Sequence, residues 1–218
     1  MKRVPEPELM ADPAQAAAYA AADFEAPHEA FVEHFRRRFP DFRAGRVLDL
    51  GCGAADITLR FARAYPAASL LGVDGSEAML HFGRQSWAAA PGSPDVRLER
   101  RYLPDPELRG AGFDALISNS LLHHLDDPAS IWQTVREAVR PGGCVLVMDL
   151  LRPRSLRDVR HLVRTYCGRE PEILQRDFRN SLRAAYRPEE VRAQLRGAGV
   201  RFAIEEVSDR HVIVWGTL

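Results

Sequence analysis

Two glycines and an acid have the spacing of a nucleoside-binding site. Residues 47–50 are an apolar run typical of a buried parallel strand, which Gly51 and Gly53 interrupt. Glycine lets a ligand approach the backbone, and the N-terminus of the next helix offers unpaired N–H groups. Asp74 ends the following apolar strand, where its carboxylate can accept hydrogen bonds from two ribose hydroxyls. The pattern therefore predicts a bound nucleoside cofactor.

The string Val-Leu-Asp-Leu-Gly-Cys-Gly, residues 47–53, resembles the first motif of class I S-adenosylmethionine-dependent methyltransferases. It differs from the dinucleotide fingerprint G-x-G-x-x-G, because Asp56 stands at the third glycine position and would repel a pyrophosphate. Adenosylmethionine carries no phosphate and has a sulfonium cation, so Asp49 and Asp56 are compatible with it. The alternative is a βαβ turn that binds no ligand.

The resemblance implies where the cofactor is held. Ser76 and Met79 follow Asp74 at the family's ribose and adenine edge; Ser76 also suits a helix N-cap, and Met79 either covers the adenine or belongs to the core. The family's usual acid after strand three is replaced here, which leaves Arg101 and Tyr102 as adenine candidates or as parts of a plain surface loop. The implied cofactor residues are Asp49, Gly51, Cys52, Gly53, Asp74, Gly75, Ser76, Met79, Arg101, Tyr102, Asn119, Ser120 and Leu121.

Residues 113–125 resemble the family's fourth strand and the loop after it. Ligands of an open parallel sheet bind beyond the carboxyl ends of its strands, which places residues 119–121 beside the methionine end of the cofactor. His123 and His124 lie one step further. Imidazole titrates near neutral pH, so either histidine is a candidate catalytic base. The alternative is that both only position the loop.

The same loop argues against methylation of nucleobases. It lacks the Asn/Asp-Pro-Pro-aromatic string with which amino-methyltransferases of this fold grip a flipped base, and residues 118–121 read Ser-Asn-Ser-Leu instead. Cys52, Cys144 and Cys167 do not suit the nucleophile of a C5-pyrimidine methyltransferase. Their scattered positions also predict a reducing compartment and neither a disulfide framework nor a metal site.

The elements that must position these residues alternate between strand and helix. This order predicts an α/β fold: a doubly wound, Rossmann-like, mostly parallel sheet. The resemblance implies seven strands, a terminal antiparallel strand and an N-terminal helical lid. A single domain of residues 1–218 is expected, with a lid at 1–43, a cofactor-binding core at 44–150, a helical insert at 151–200 and a closing β-hairpin at 201–218. The predicted strands are 46–51, 69–74, 95–99, 113–118, 144–149, 201–207 and 211–216.

Two regions outside the core are the candidates for the substrate pocket. Residues 8–38 predict two helices broken near Ala26-Pro27, because proline disfavours helix in the residue before it. The insert predicts further helices, with breaks near residues 168–171 and 187–188, where proline opens the last one. The candidate substrate residues in these regions are Tyr19, Phe24, Arg152, Asn180 and Tyr186.

Residues 152–196 carry the chain's charge asymmetry, with twelve arginines against six acids. Three interpretations are open: a solvated face with i,i+4 ion pairs, a pocket for a small anion, or a face for RNA phosphates. No aromatic residues are interleaved for base stacking, so nucleic acid is the least favoured.

The composition sets the remaining expectations. The chain has 218 residues, zero formal net charge and 46% hydrophobic residues, as in a globular protein. Residues 1–10 lack the apolar region of a signal peptide and no run is long enough to cross a membrane, so a cytoplasmic monomer or homodimer is expected.

The predicted function is methyl transfer from S-adenosylmethionine to an O, N or S nucleophile of a small molecule, by in-line displacement, leaving S-adenosylhomocysteine. The alternatives are an RNA methyltransferase that uses residues 152–196 and a non-catalytic regulator that binds the cofactor.

Overall fold

The computed structural model describes residues 1–6, 9–92 and 94–218. Within them, helices and strands alternate as the sequence predicts, after two N-terminal helices and before a block of three. The elements are α1 Pro13–Ala21, α2 Glu25–Arg38, β1 Ala44–Leu50, α3 Asp56–Ala64, β2 Ala67–Asp74, α4 Glu77–Ala88, β3 Val96–Arg100, β4 Phe113–Asn119, α5 Ala129–Ala138, β5 Val139–Leu150, α6 Leu156–Cys167, α7 Glu172–Ala184, α8 Pro188–Ala198, β6 Ala203–Glu206 and β7 His211–Thr217.

One seven-stranded sheet has the order β3-β2-β1-β4-β5-β7-β6. Strands β1 to β5 pair in parallel, so that Val47 lies opposite both Leu70 and Ala115. Strand β7 runs antiparallel to β5 and to β6. The strand order reverses between β1 and β4, and such a switch point opens a crevice at the carboxyl ends of the strands. The predicted fold class is confirmed.

Alternate side chains of the central strands build two hydrophobic layers. Val47 and Ile117 pack on the face covered by α2 and α3, while Leu48 and Leu116 pack on the face covered by α5 and α8. Trp132 is fully buried in the second layer, and its indole Nε1 donates to Gln194 Oε1 at 3.0 Å. Because helices cover both faces of the sheet, the central strands are apolar runs, and their polar side chains lie at the strand ends.

The prediction for the first helix break is wrong in position. The break lies at residues 22–24, and Pro27 falls in the first turn of α2. Proline is tolerated there because the N–H groups of the first turn make no hydrogen bond within the helix. The breaks between α6, α7 and α8 are confirmed, including the start of α8 at Pro188. Strand β5 begins earlier than predicted, at Val139, with a register shift against the start of β4.

The N-terminal region packs across the carboxyl edge of the sheet. Helix α1 contacts α4 and α7. At the same edge, Val4 N donates to Arg183 O at 3.0 Å and Ser76 Oγ donates to Met10 O at 2.6 Å. In the described part of the chain, no helix is long and apolar enough to cross a membrane.

Candidate cofactor and acceptor site

The turn between β1 and α3 depends on its glycines. Gly51 has φ 70° and Gly53 has φ 54°, in the left-handed region that favours glycine. A Cβ on Gly51 would lie 2.9 Å from Leu121 Cδ1, which is too close for a real contact. The Gly51 and Cys52 amides donate to Val73 O at 2.8 and 3.1 Å, so the turn is tied to the end of β2.

Asp74 lies beside this turn with both carboxylate oxygens oriented by backbone. Gly53 N donates to Oδ2 at 2.9 Å and Ser76 N donates to Oδ1 at 2.7 Å. Each oxygen keeps a lone pair after its single N–H bond, so two further donors can be accepted. Burial raises the pKa of this carboxyl, and the two backbone N–H bonds oppose that rise. The arrangement suits a pair of vicinal hydroxyls.

Asp49 is a buried acid below the turn. Thr58 Oγ1 donates to its Oδ2 at 2.6 Å. Burial raises the pKa of Asp49 to about 7; the Thr58 hydrogen bond lowers it and the Asp74 charge raises it further. Buried Asp49 and half-buried Asp74 lie on adjacent strands, and their carboxylates make this end of the sheet electronegative, which favours a cationic ligand.

Cys52, Met79 and Gly75 border the same crevice. Cys52 and Met79 are buried. A Cβ on Gly53 would lie 3.1 Å from Met79 Cε, and a Cβ on Gly72 would lie 3.0 Å from Cys52 Sγ. Ser76 is the N-cap of α4, because its hydroxyl accepts from Met79 N at 3.2 Å. The Met79 methyl thus reaches the turn from a core position.

The two adenine candidates differ in their surroundings. Arg101 forms ion pairs with Glu99, Asp105 and Glu107, at 2.7, 2.7 and 2.8 Å, all within six residues of it in the chain. Tyr102 is 52% exposed, and its ring lies beside Gly75. A Cβ added to Gly75 would lie 3.1 Å from Tyr102 Cε1. Tyr102 therefore borders the crevice, whereas the guanidinium of Arg101 is engaged away from it.

The end of β4 forms the opposite wall. Ser120 has φ 57°, an uncommon value for a non-glycine residue, and its N–H donates to Met148 O at 2.9 Å. This conformation turns the chain after half-buried Asn119, so that Leu121 packs against Gly51. Residues 119–121 and the glycine turn are therefore brought together, as expected for adjacent strands β1 and β4.

His123 is buried and held between two acids. Its ring Nδ1 pairs with Asp149 Oδ1 at the end of β5, and its backbone N–H donates to Asp149 Oδ2 at 2.9 Å. Its Nε2 lies 3.4 Å from Glu6 Oε1. Burial lowers the pKa of His123, but the Asp149 and Glu6 carboxylates outweigh burial and raise it. Conversely, burial raises the pKa of Asp149, and His123 more than offsets that rise.

His124 lies beside His123, with ring centroids 4.2 Å apart. Its Nδ1 is 3.5 Å from Glu6 Oε1, and 22% of its side chain is exposed, against 2% for His123. Of the two predicted catalytic residues, His124 is therefore the one that reaches solvent at this edge.

Tyr19 and Phe24 lie in the N-terminal region above the glycine turn, with ring centroids 4.7 Å apart. Burial raises the pKa of Tyr19 to about 12, and the Asp56 and Asp74 charges add to the rise, which places the phenol near both acids. His28 Nδ1 pairs with Asp56 Oδ2 at 2.5 Å and so fixes this row of rings to the start of α3.

The predicted substrate residues of the insert separate. Tyr186 is buried beneath Arg3, whose guanidinium carbon lies 4.2 Å from the ring centroid, while Asn180 is half-buried on α7. Arg152 is 6% exposed and its guanidinium pairs with Glu190 at 2.5 Å, so its substrate role stays a prediction. This ion pair connects the start of the insert to α8.

Sequence reasoning missed three residues of this site. Asp149 ends an apolar strand at the carboxyl edge, a signal that could have indicated it. Thr58 lies in the first turn of α3, and only the packing of that helix directs its hydroxyl at Asp49. Glu6 carries no local signal, because its position depends on residues 1–6 packing against the loop after β4.

The strand order, the antiparallel seventh strand and the glycine turn resemble those of the class I methyltransferase fold. Residues 48–145 match the family of methyltransferase domains. A solved SAM-dependent methyltransferase from Aquifex aeolicus has the same fold, with a TM-score of 0.71 and 17% identity over 94% of this chain and 97% of that one.

Two curated relatives each match about half of this chain. An uncharacterized methyltransferase of Mycobacterium tuberculosis is 32% identical over 116 residues, which are 53% of this chain and 56% of the relative. A trans-aconitate 2-methyltransferase of Deinococcus radiodurans is 37% identical over 108 residues, 50% of this chain and 39% of the relative. The matches span only about half the length of these relatives.

Proposed function

We propose that this protein transfers the methyl group of S-adenosylmethionine to a small-molecule acceptor. The observation that carries the proposal is the pair of acids around the glycine turn: half-buried Asp74, with both oxygens oriented by backbone N–H groups, and buried Asp49 below the turn. Asp74 would accept the two ribose hydroxyls. The electronegative crevice would favour the sulfonium and amino groups of the methionine end.

The acceptor would enter between residues 119–121, His124 and the N-terminal region. Methyl transfer is an in-line displacement with a good leaving group, so much of the catalysis consists of holding the two reactants at near-attack distance. Tyr19 and Phe24 would close the pocket over the cofactor. In this arrangement His124 meets the acceptor, and the Asp149–His123 pair positions the loop.

We further propose that the acceptor is anionic. Arg183 Nε is buried without a hydrogen-bond partner among the described residues, on the helix that faces Val4. The surrounding insert is rich in arginine, and a guanidinium group can form two parallel hydrogen bonds to one carboxylate, a bidentate pair. The Deinococcus relative is named for a carboxylate acceptor, trans-aconitate. RNA is less favoured, because insert arginines such as Arg152, Arg176 and Arg187 pair with acids.

Calorimetry with S-adenosylhomocysteine tests the cofactor claim. Wild-type protein should bind one equivalent, and Asp74→Asn should bind at least about 10-fold more weakly, since each hydrogen bond to a charged group contributes roughly 1.5–3 kcal/mol. Asp95→Asn, an exposed acid before β3, is the matched control and should bind normally. Equal binding by Asp74→Asn would refute the site.

Transfer is tested with isotope-labelled cofactor and separate pools of carboxylic acids, amines, phenols and bulk RNA. Label in the carboxylic acid pool, reduced by Arg183→Gln, is the expected result. Label only in RNA would favour the alternative acceptor. Cofactor binding without transfer to any pool would favour the regulator.

A further inference from the structure

Three potential metal ligands from distant parts of the chain meet at the carboxyl edge of the sheet. Glu6 comes from the N-terminal segment, and His123 and His124 come from the loop between β4 and α5. Their ligand atoms all lie within 4.8 Å of one another. Glu6 Oε1 is 3.4 Å from His123 Nε2 and 3.5 Å from His124 Nδ1.

Glu6 provides a second, independent indication of a ligand. Its side chain is 10% exposed, and its Oε1 is buried without a hydrogen-bond partner in the described structure. A buried carboxylate oxygen left in this state costs free energy, because it has lost water without gaining a full partner. The unsatisfied oxygen is the atom that faces both imidazoles.

From this cluster we propose that Glu6, His123 and His124 bind one divalent transition-metal cation, with Zn²⁺ as the expected occupant. Zn–N and Zn–O bonds of about 2.0–2.2 Å in tetrahedral geometry separate neighbouring ligand atoms by about 3.4 Å. The two distances from Glu6 Oε1 match that spacing. Two imidazoles and a carboxylate suit Zn²⁺ or Co²⁺ rather than Mg²⁺ or Ca²⁺, which prefer oxygen ligands.

Asp149 supplies the outer support that such a site requires. Its Oδ1 pairs with His123 Nδ1, and its Oδ2 accepts the His123 backbone N–H. An imidazole that donates Nδ1–H to a carboxylate presents the Nε2 lone pair outward, in this case toward Glu6. Carboxylate–histidine pairs of this kind fix the ring and raise its basicity in metal sites.

Three protein ligands leave the fourth coordination position of a tetrahedral site open for water or another molecule, as in zinc sites with an open position. The same cation would join the N-terminal segment to the β4–α5 loop. Metal binding does not depend on methyl transfer, so it can be measured on the full chain without cofactor.

Untagged full-length protein, stripped with a chelator and dialysed, would be titrated with Co²⁺ and with Zn²⁺. We expect one equivalent of Co²⁺ to give visible absorption bands of a site with nitrogen ligands, and one equivalent of Zn²⁺ to abolish them. Glu6→Gln and His124→Gln should each weaken binding more than about 100-fold, and Asp149→Asn by about 10–100-fold.

Matched controls are Glu25→Gln and His81→Gln, which are exposed residues away from the cluster and should bind as wild type does. Circular dichroism of each variant verifies that it is folded. The proposal is overturned if wild-type protein binds no stoichiometric metal, or if folded Glu6→Gln and His124→Gln bind as tightly as wild type.

Discussion

The substitution Asp49→Asn should stabilise the protein in the absence of ligand, and increasingly so as the pH rises. Asp49 is 2% exposed, and Thr58 Oγ1 donates to it. Asparagine has nearly the same shape, and its amide oxygen can accept the same hydrogen bond. The change therefore removes the ionisable group and leaves the packing in place.

The magnitude follows from the pKa of the carboxyl. Burial raises the pKa of Asp49 from 3.8 to about 7. Because the folded protein holds the proton more tightly than the unfolded chain, ionisation destabilises the fold as the pH rises from about 4 to about 7, after which the cost is constant. A tenfold change in proton affinity corresponds to about 1.4 kcal/mol, so the cost is about 2 kcal/mol at pH 5 and about 4 kcal/mol at pH 8.

Denaturant unfolding of wild type and Asp49→Asn, at about pH 5 and about pH 8, measures both values. The stabilisation by asparagine should grow by about 2 kcal/mol between the two pH values. Asp95→Asn, an exposed acid, should show little stabilisation at either pH. Calorimetry of the same variant should show weaker binding of adenosylmethionine, whose cation the carboxylate is proposed to face.

A stabilisation that does not change with pH would refute the argument that Asp49 is a buried carboxyl with a raised pKa. A loss of stability at pH 8 would refute it more strongly, since the carboxylate would then contribute favourable interactions in the apo protein.

Three further substitutions test separate parts of the structure. Gly51→Ala should cost at least about 1–2 kcal/mol of stability, since its φ is 70° and its Cβ would meet Leu121, and it should lower the affinity for S-adenosylhomocysteine in calorimetry. Tyr19→Ala should speed the release of S-adenosylhomocysteine in stopped-flow fluorescence, whereas Tyr19→Phe keeps the covering ring and should change the rate much less. Arg152→Leu should lower the free energy of unfolding by about 2 kcal/mol in denaturant unfolding, because it breaks the ion pair with Glu190, and should leave cofactor affinity unchanged. A selective loss of acceptor binding would instead support the predicted substrate role of Arg152.

The sequence alone determined the sheet and the turn at its centre. Apolar runs of strand length, separated by helical patterns, leave few arrangements other than a doubly wound parallel sheet. Gly51, Gly53 and Asp74 are recognisable because a close backbone approach and an acid at a strand end are local requirements. The break expected at Ala26-Pro27 was misplaced for a local reason too: proline is tolerated in the first turn of a helix.

Tertiary structure alone decided which side chains meet at the sheet edge. An arginine in an arginine-rich insert gave no sign that Arg152 would be buried against Glu190. Nor did residues 1–10 indicate that Glu6 would face a pair of histidines, and the sequence predicted no metal site. Local patterns report the period of a helix or strand, but contacts between residues far apart in the chain depend on how whole elements pack. The glycine turn and Asp74 were therefore visible in the sequence, and the cluster beside them was not.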